Sequence, residues 1–121
     1  MTRGTKDLTA MKCQPCRQGA APLSLTQAQE FLGQLPGWIL ASDGKSISRE
    51  LAMKNFVTAV RLIGRIAEVA ESEDHHPDLH LSGYRKLRIE LATHSIGGLS
   101  ENDFILAAKI EQLPKELKES A

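Results

Sequence analysis

The sequence predicts an α+β domain: a four-stranded antiparallel sheet with three helices on one face, in the order α-β-β-α-β-β-α. Two short strand pairs flank a long stretch of helical period. The turn within the first pair is so short that its strands must run antiparallel. The clearest strand alternates apolar with charged residues, so the sheet is covered on one side only. A chain of 121 residues, 41% hydrophobic and 25% charged, has room for one such domain, with the helices burying the apolar face of the sheet.

Residues 1–22 are polar, rich in Gly, Pro, Lys and Arg, and show no sustained period. A flexible N-terminal tail is expected there, ahead of a single domain over residues 23–118, and removing residues 1–20 is expected to leave fold and activity intact. Thr26 and Gln29 have the spacing of a capping box. Ala28, Phe31, Leu32 and Leu35 then share a helical face, and Pro36-Gly37 ends the helix. Residues 38–41 are a short apolar run. After the turn signal Ser42-Asp43-Gly44-Lys45, Ile47, Arg49 and Leu51 alternate with Ser46, Ser48 and Glu50, which makes a hairpin. Asn55 can cap the next helix. Its expected core stripe is Phe56, Val60, Ile63, Ala67 and Ala70, widened by Val57, Leu62, Ile66 and Val69.

Pro77 disfavours helical backbone at His76, so this helix should stop near Asp74 or His75. Residues 79–83 can form a strand and residues 84–93 form the clearest one, with Leu87, Ile89 and Leu91 on one face and Lys86, Arg88 and Glu90 on the other. Gly97-Gly98 breaks the chain. Ser100-Glu101-Asn102-Asp103 caps a last helix with acids where the helix dipole favours them. Phe104, Ala107, Ala108 and Glu111 share one face of it, Leu106, Ile110 and Leu113 the neighbouring one, and Pro114 ends or bends it.

Charge and composition narrow the function. Fifteen Lys and Arg balance fifteen Asp and Glu, which argues against a nucleic-acid partner. No apolar run approaches the roughly 20 residues that span a bilayer, and the first seven residues hold no apolar signal-peptide core. A soluble cytoplasmic protein without a membrane partner is expected. In that setting Cys13 and Cys16 are thiols or metal ligands rather than a structural disulfide.

All four histidines, His75, His76, His80 and His94, fall within a span of twenty residues. Around the first pair stands Glu71-Ser72-Glu73-Asp74-His75-His76-Pro77. If the helix runs to Asp74, Glu71 lies four residues before His75 and the two share an edge of the helix end. Imidazoles and carboxylates projecting there can give and take protons near neutral pH. The plain alternative is a solvated helix end. His94 precedes a Gly-Gly loop, where functional groups are often placed. A zinc site from Cys13, Cys16, His76 and His80 competes. However, 59 residues separate Cys16 from His76, against about a dozen to fifteen in zinc fingers. No strand leads into the Cys-x-x-Cys as a thioredoxin-like motif requires. Dinucleotide, Walker A and nucleophile-elbow motifs are absent. Unaided, the residues point to a small α+β domain with a histidine-carboxylate, proton-transferring site.

Glu71-x-x-x-His75-His76-Pro77, then Tyr84, His94 and Asp103, resembles the signature of the pterin-4a-carbinolamine dehydratases. The intervening gaps of six, nine and eight residues match its pattern. Leu35-Pro36-Gly37-Trp38 is similar to that family's first strand start, and Gly98-Leu99-Ser100-Glu101-x-Asp103 to its last helix start. The resemblance covers residues 23–113. It implies the same helix and strand order and assembly as a homodimer or homotetramer. It also implies dehydration of 4a-hydroxytetrahydropterin to quinonoid dihydropterin and water, which recycles the pterin of aromatic amino acid hydroxylases without metal or organic cofactor. By resemblance, His75, His76 and His94 are catalytic, with acid and base unassigned, and His76 could serve mainly in binding. Glu71, Asp74, Thr93 and Ser95 would line the substrate site, whereas His80 matches no functional position. The alternative is a non-catalytic, coactivator-like protein-binding member of the fold.

Overall fold

Leu23 donates its backbone N–H to the Leu99 carbonyl at 2.8 Å, and this anchor decides where the first helix begins. In the computed structural model, which describes residues 8–14 and 21–118, α1 (Leu25–Leu32) starts at Ser24, held extended by that bond. The Ser24 hydroxyl accepts from the Gln27 N–H at 3.2 Å, and the Gln27 side chain accepts from the Ser24 N–H at 2.9 Å. The capping box therefore lies two residues before the expected Thr26 and Gln29. Both pairs have suitable residue types, and the tertiary anchor at Leu23 selects the earlier one.

The strands β1 (Ile39–Leu40), β2 (Ile47–Ala52), β3 (Asp78–Ser82) and β4 (Lys86–Leu91) form one sheet in the order β1-β2-β4-β3, antiparallel throughout. The two hairpins thus join through their second strands, with Ile47 opposite Leu91 and Ala52 opposite Lys86. Tyr84, expected at the head of β4, instead sits in the turn. Gly83 and Tyr84 both take left-handed backbone, at φ 54° and 56°, which reverses the chain between Ser82 and Lys86.

The helix α2 (Phe56–Glu73) begins at Asn55, as expected; its side chain accepts from the Thr58 N–H at 2.9 Å. Its buried stripe is Ala59, Leu62, Ile66 and Ala70, whereas Phe56, Val57 and Val60 are about half exposed. The expected stripe is thus only partly the core. The helix carries two apolar faces, and periodicity does not show which one meets the sheet. Leu62 and Ile66 pack with Ile47, Leu51 and Met53 and with Leu87, Ile89 and Leu91 in one core.

The last helix, α3 (Glu101–Glu111), is buried nearly all round, from Asn102 to Ala108 and at Ile110. A helix buried on nearly every side needs cover on every side, for its apolar residues and for its buried Asn102 and Asp103, and residues 8–14 supply part of it. A short 3₁₀ turn, Leu8–Ala10, lies on α3, with Leu8 only 1% exposed and Met11 and Cys13 packed beside it. Residues 8–14 therefore depart from the expected flexible tail. One buried leucine and a few backbone hydrogen bonds dock them without any periodic apolar face. Cys16 lies outside the described residues.

Candidate functional site

Asp74 ends α2 in left-handed conformation, φ 52° and ψ 41°, and its N–H bonds back to the Ala70 and Glu71 carbonyls. Asp is among the few residues that adopt this backbone readily. The reversal breaks the helical spacing between Glu71 and His75, and the two take different partners. His75 turns inward and its Nε2 meets Asp103 Oδ1 at 2.7 Å, while exposed His76 places Nε2 at 2.5 Å from Glu71 Oε2.

Asp103 occupies the first turn of α3 and has no exposed surface. Its second oxygen, Oδ2, accepts from the Thr93 hydroxyl at 2.8 Å and from the Ser100 N–H at 3.0 Å. The Thr93 and Ser100 hydroxyls are 2.7 Å apart. A carboxylate so surrounded is a fixed acceptor. It calls for the proton of neutral His75 on Nε2 and leaves the lone pair on Nδ1. In that tautomer the imidazole is held in place by a buried carboxylate.

His75, Asp74, Thr93 and Ser95 line a cavity of about 290 Å³. Thr93 also lines a neighbouring cavity of about 320 Å³, and there His94 stands with Asp78 and Glu90. His94 is exposed at the start of the 3₁₀ turn His94–Ile96, which Gly97 closes at φ 70°. The structure thus gathers Asp74, His75, Thr93 and Ser95 at one cavity, puts His94 at the next, and leaves Glu71 and His76 paired in solvent outside both. His80 lies on the outer face of the sheet with Glu50 and Arg88.

Two groups beside His75 have displaced proton affinities. Burial, then the nearby Glu73 carboxylate, pushes the Cys13 thiol up to about 12, so it stays a thiol at neutral pH and is a weak nucleophile and metal ligand. Burial alone would raise Glu73. Hydrogen bonds from Lys109 Nζ at 2.7 Å and from the Cys13 N–H at 2.8 Å outweigh that and hold its carboxyl below the ordinary 4.5. Among the described residues, no group of three or more His, Cys, Asp or Glu is placed to hold a metal ion.

The family model described as pterin 4 alpha carbinolamine dehydratase matches residues 21–113. The chain belongs to the pterin-4a-carbinolamine dehydratase family. It is 45% identical over 113 residues to pterin-4-alpha-carbinolamine dehydratase 2, mitochondrial, of Arabidopsis thaliana, across 91% of this chain and 60% of that longer protein. It is 47% identical over 106 residues to a Halorhodospira halophila relative whose assignment as a dehydratase is itself provisional, across 88% of this chain and 96% of that one. Among solved structures, a transcriptional coactivator/pterin dehydratase from Brucella melitensis superposes with a TM-score of 0.70 at 33% identity, over 74% of this chain and 95% of that one. A pterin dehydratase-like protein identified as a RuBisCO assembly factor shares the fold, with a TM-score of 0.52 at 16% identity over 62% of this chain and 86% of that one.

Within this dehydratase-family chain, sequence reasoning named His75 but missed what holds it. Asp103 figured only as a helix cap and a motif position. The signal that could have found it is its spacing: the N3 acid of a Ser-x-x-Asp box, ten residues after Thr93 in the stretch that carries His94.

Proposed function

We propose that this protein dehydrates 4a-hydroxytetrahydropterins, returning quinonoid dihydropterin for reuse by an aromatic amino acid hydroxylase. The observation that carries the reading is the His75–Asp103 pair at a cavity wall, in a chain of this family. In the proposed reaction Nδ1 of His75 takes the proton from the ring nitrogen next to C4a. The electrons of that N–H bond form the C=N bond, and the C4a–O bond breaks as the hydroxyl receives a proton and leaves as water. No electron is exchanged with an outside reagent, so the reaction requires neither metal nor organic cofactor. The exposed imidazole of His94, at the adjoining cavity that shares Thr93 with this one, is a group that solvent can reprotonate, which suits it to supply that proton; His76, the third histidine of the resemblance, would act from outside the cavity, in binding. Asp74, Thr93 and Ser95 would contact the bound pterin at the cavity, and Glu71 would set the position of His76. Stopped-flow decay of the carbinolamine, with and without the protein, tests the reading; an unchanged decay rate contradicts it.

A second reading rests on the apolar face of α2. Phe56, Val57 and Val60 are about half exposed along its first two turns, a patch that suits association. With the resemblance to dimeric and tetrameric proteins, it supports a homodimer or homotetramer. A purely protein-binding role, without chemistry, is the outcome if the carbinolamine decay is not accelerated.

A further inference from the structure

The family match begins at residue 21, yet a segment before it reaches the His75 cavity. Cys13 and Gln14 line that cavity together with His75, Thr93 and Ser95. The segment is pinned on both sides. The Cys13 N–H donates to Glu73 Oε1 at 2.8 Å, in the last turn of α2. The Gln14 N–H donates to Asn102 Oδ1 at 2.9 Å, and Asn102 Nδ2 donates to the Gln14 carbonyl at 2.5 Å, in the first turn of α3. Those turns also carry the reacting pair: His75 follows Glu73 by two residues, and Asp103 follows Asn102 directly. The Leu8 side chain, 1% exposed, fixes the start of the segment on the core.

These bonds satisfy the Gln14 backbone and leave its side chain for other work. Among the described residues, the Gln14 carboxamide has no hydrogen-bond partner, and the residue is exposed. A primary carboxamide offers two N–H donors beside a carbonyl acceptor. It matches a ring edge where a donor and an acceptor stand side by side. A pterin presents such an edge at its 2-amino group, which donates, and the unprotonated ring nitrogen N1 beside it, which accepts, on the side of the ring away from C4a. A 2-oxo analogue of the same shape lacks the amino donor.

We propose that Cys13 and Gln14 form a wall of the substrate site and that Gln14 is a specificity-determining residue that reads the aminopyrimidinone edge of the pterin. Asn102 is then a positioning residue, acting through the strap it holds. This rests on the dehydratase reading above, and it adds to the site a segment that the family match does not include.

The test uses the full chain, Gln14→Ala and Asn102→Ala. Each is assayed for KM and kcat with the carbinolamine, and for the dissociation constants of a stable dihydropterin and of its 2-oxo counterpart. The expected result for Gln14→Ala is a KM raised about tenfold, the loss of roughly one hydrogen bond, with a smaller change in kcat. Its preference for the 2-amino over the 2-oxo ligand narrows by a similar factor, and Asn102→Ala moves that ratio the same way. If the wild-type chain dehydrates the carbinolamine and Gln14→Ala keeps both KM and the preference within about twofold, the inference is overturned. If the wild-type chain does not dehydrate it, the dehydratase reading fails instead, and the binding preference alone still decides the role of Gln14.

Discussion

Asp103 receives three hydrogen bonds while wholly buried, which makes it the most constrained residue at the site. Asp103→Asn puts an amide where His75 needs an acceptor, and turns His75 toward the other tautomer. The dehydration rate is expected to fall about a hundredfold, the scale of a misplaced reacting group. The same change leaves buried donors poorly matched, at about 1–3 kcal/mol of stability, and thermal denaturation measures that loss. His75→Ala, His76→Ala and His94→Ala are each expected to slow dehydration, with His75 and one acid partner far from additive when combined. His80→Ala, on the outer sheet face, is the control and is expected to change the rate little. The Asp-His-His-Pro run made His75 legible from the sequence, because acids, imidazoles and a proline together mark a shaped helix end. Asp103 was not legible as its partner, because the two lie 28 residues apart and a capping acid explains the residue equally well.

At the scale of elements, the two helices that meet at the site were legible in outline but not in orientation. The stop of α2 before Pro77 followed from local sterics, whereas its left-handed end at Asp74 decides which histidine faces inward, and no spacing rule contains that. The apolar stripe misled for a related reason: Phe56 and Val60 are as hydrophobic as Leu62 and Ile66, and only packing separates them. The N-terminal strap has the clearest physical test. Leu8→Ala is expected to cost about 2 kcal/mol, near the low end for a buried leucine because the strap can detach. Deletion of residues 1–14 is expected to lower the thermal midpoint, which reverses the expectation drawn from composition. Glu73 adds a pH dependence. Its folded carboxyl sits below the ordinary 4.5, so its pairing with Lys109 stabilises the fold above that pH and is lost as the pH falls through the folded value. Urea titrations of wild type and Glu73→Gln are expected to differ near neutrality and to converge in acid.

For the whole molecule, the order of helices and strands and the antiparallel sheet were readable because turn chemistry and alternation are local. The joining of the two hairpins through β2 and β4 was not, since no short turn connects those strands. The exposed Phe56, Val57 and Val60 leave an apolar surface on the outside of α2. Val60→Glu is expected to shift the sedimentation coefficient toward that of a 13.3 kDa monomer; an unchanged coefficient would place the association surface elsewhere. A fold shared with a RuBisCO assembly factor does not by itself fix an activity, so the chemistry must be measured directly. The deciding measurement is stopped-flow decay of 4a-hydroxytetrahydropterin with wild type and with His75→Ala. The expected result is acceleration by wild type and a loss of about 10²–10⁴-fold in the variant, the contribution of one positioned acid or base. Decay at the uncatalysed rate with wild type, or equal rates for the two proteins, would contradict it.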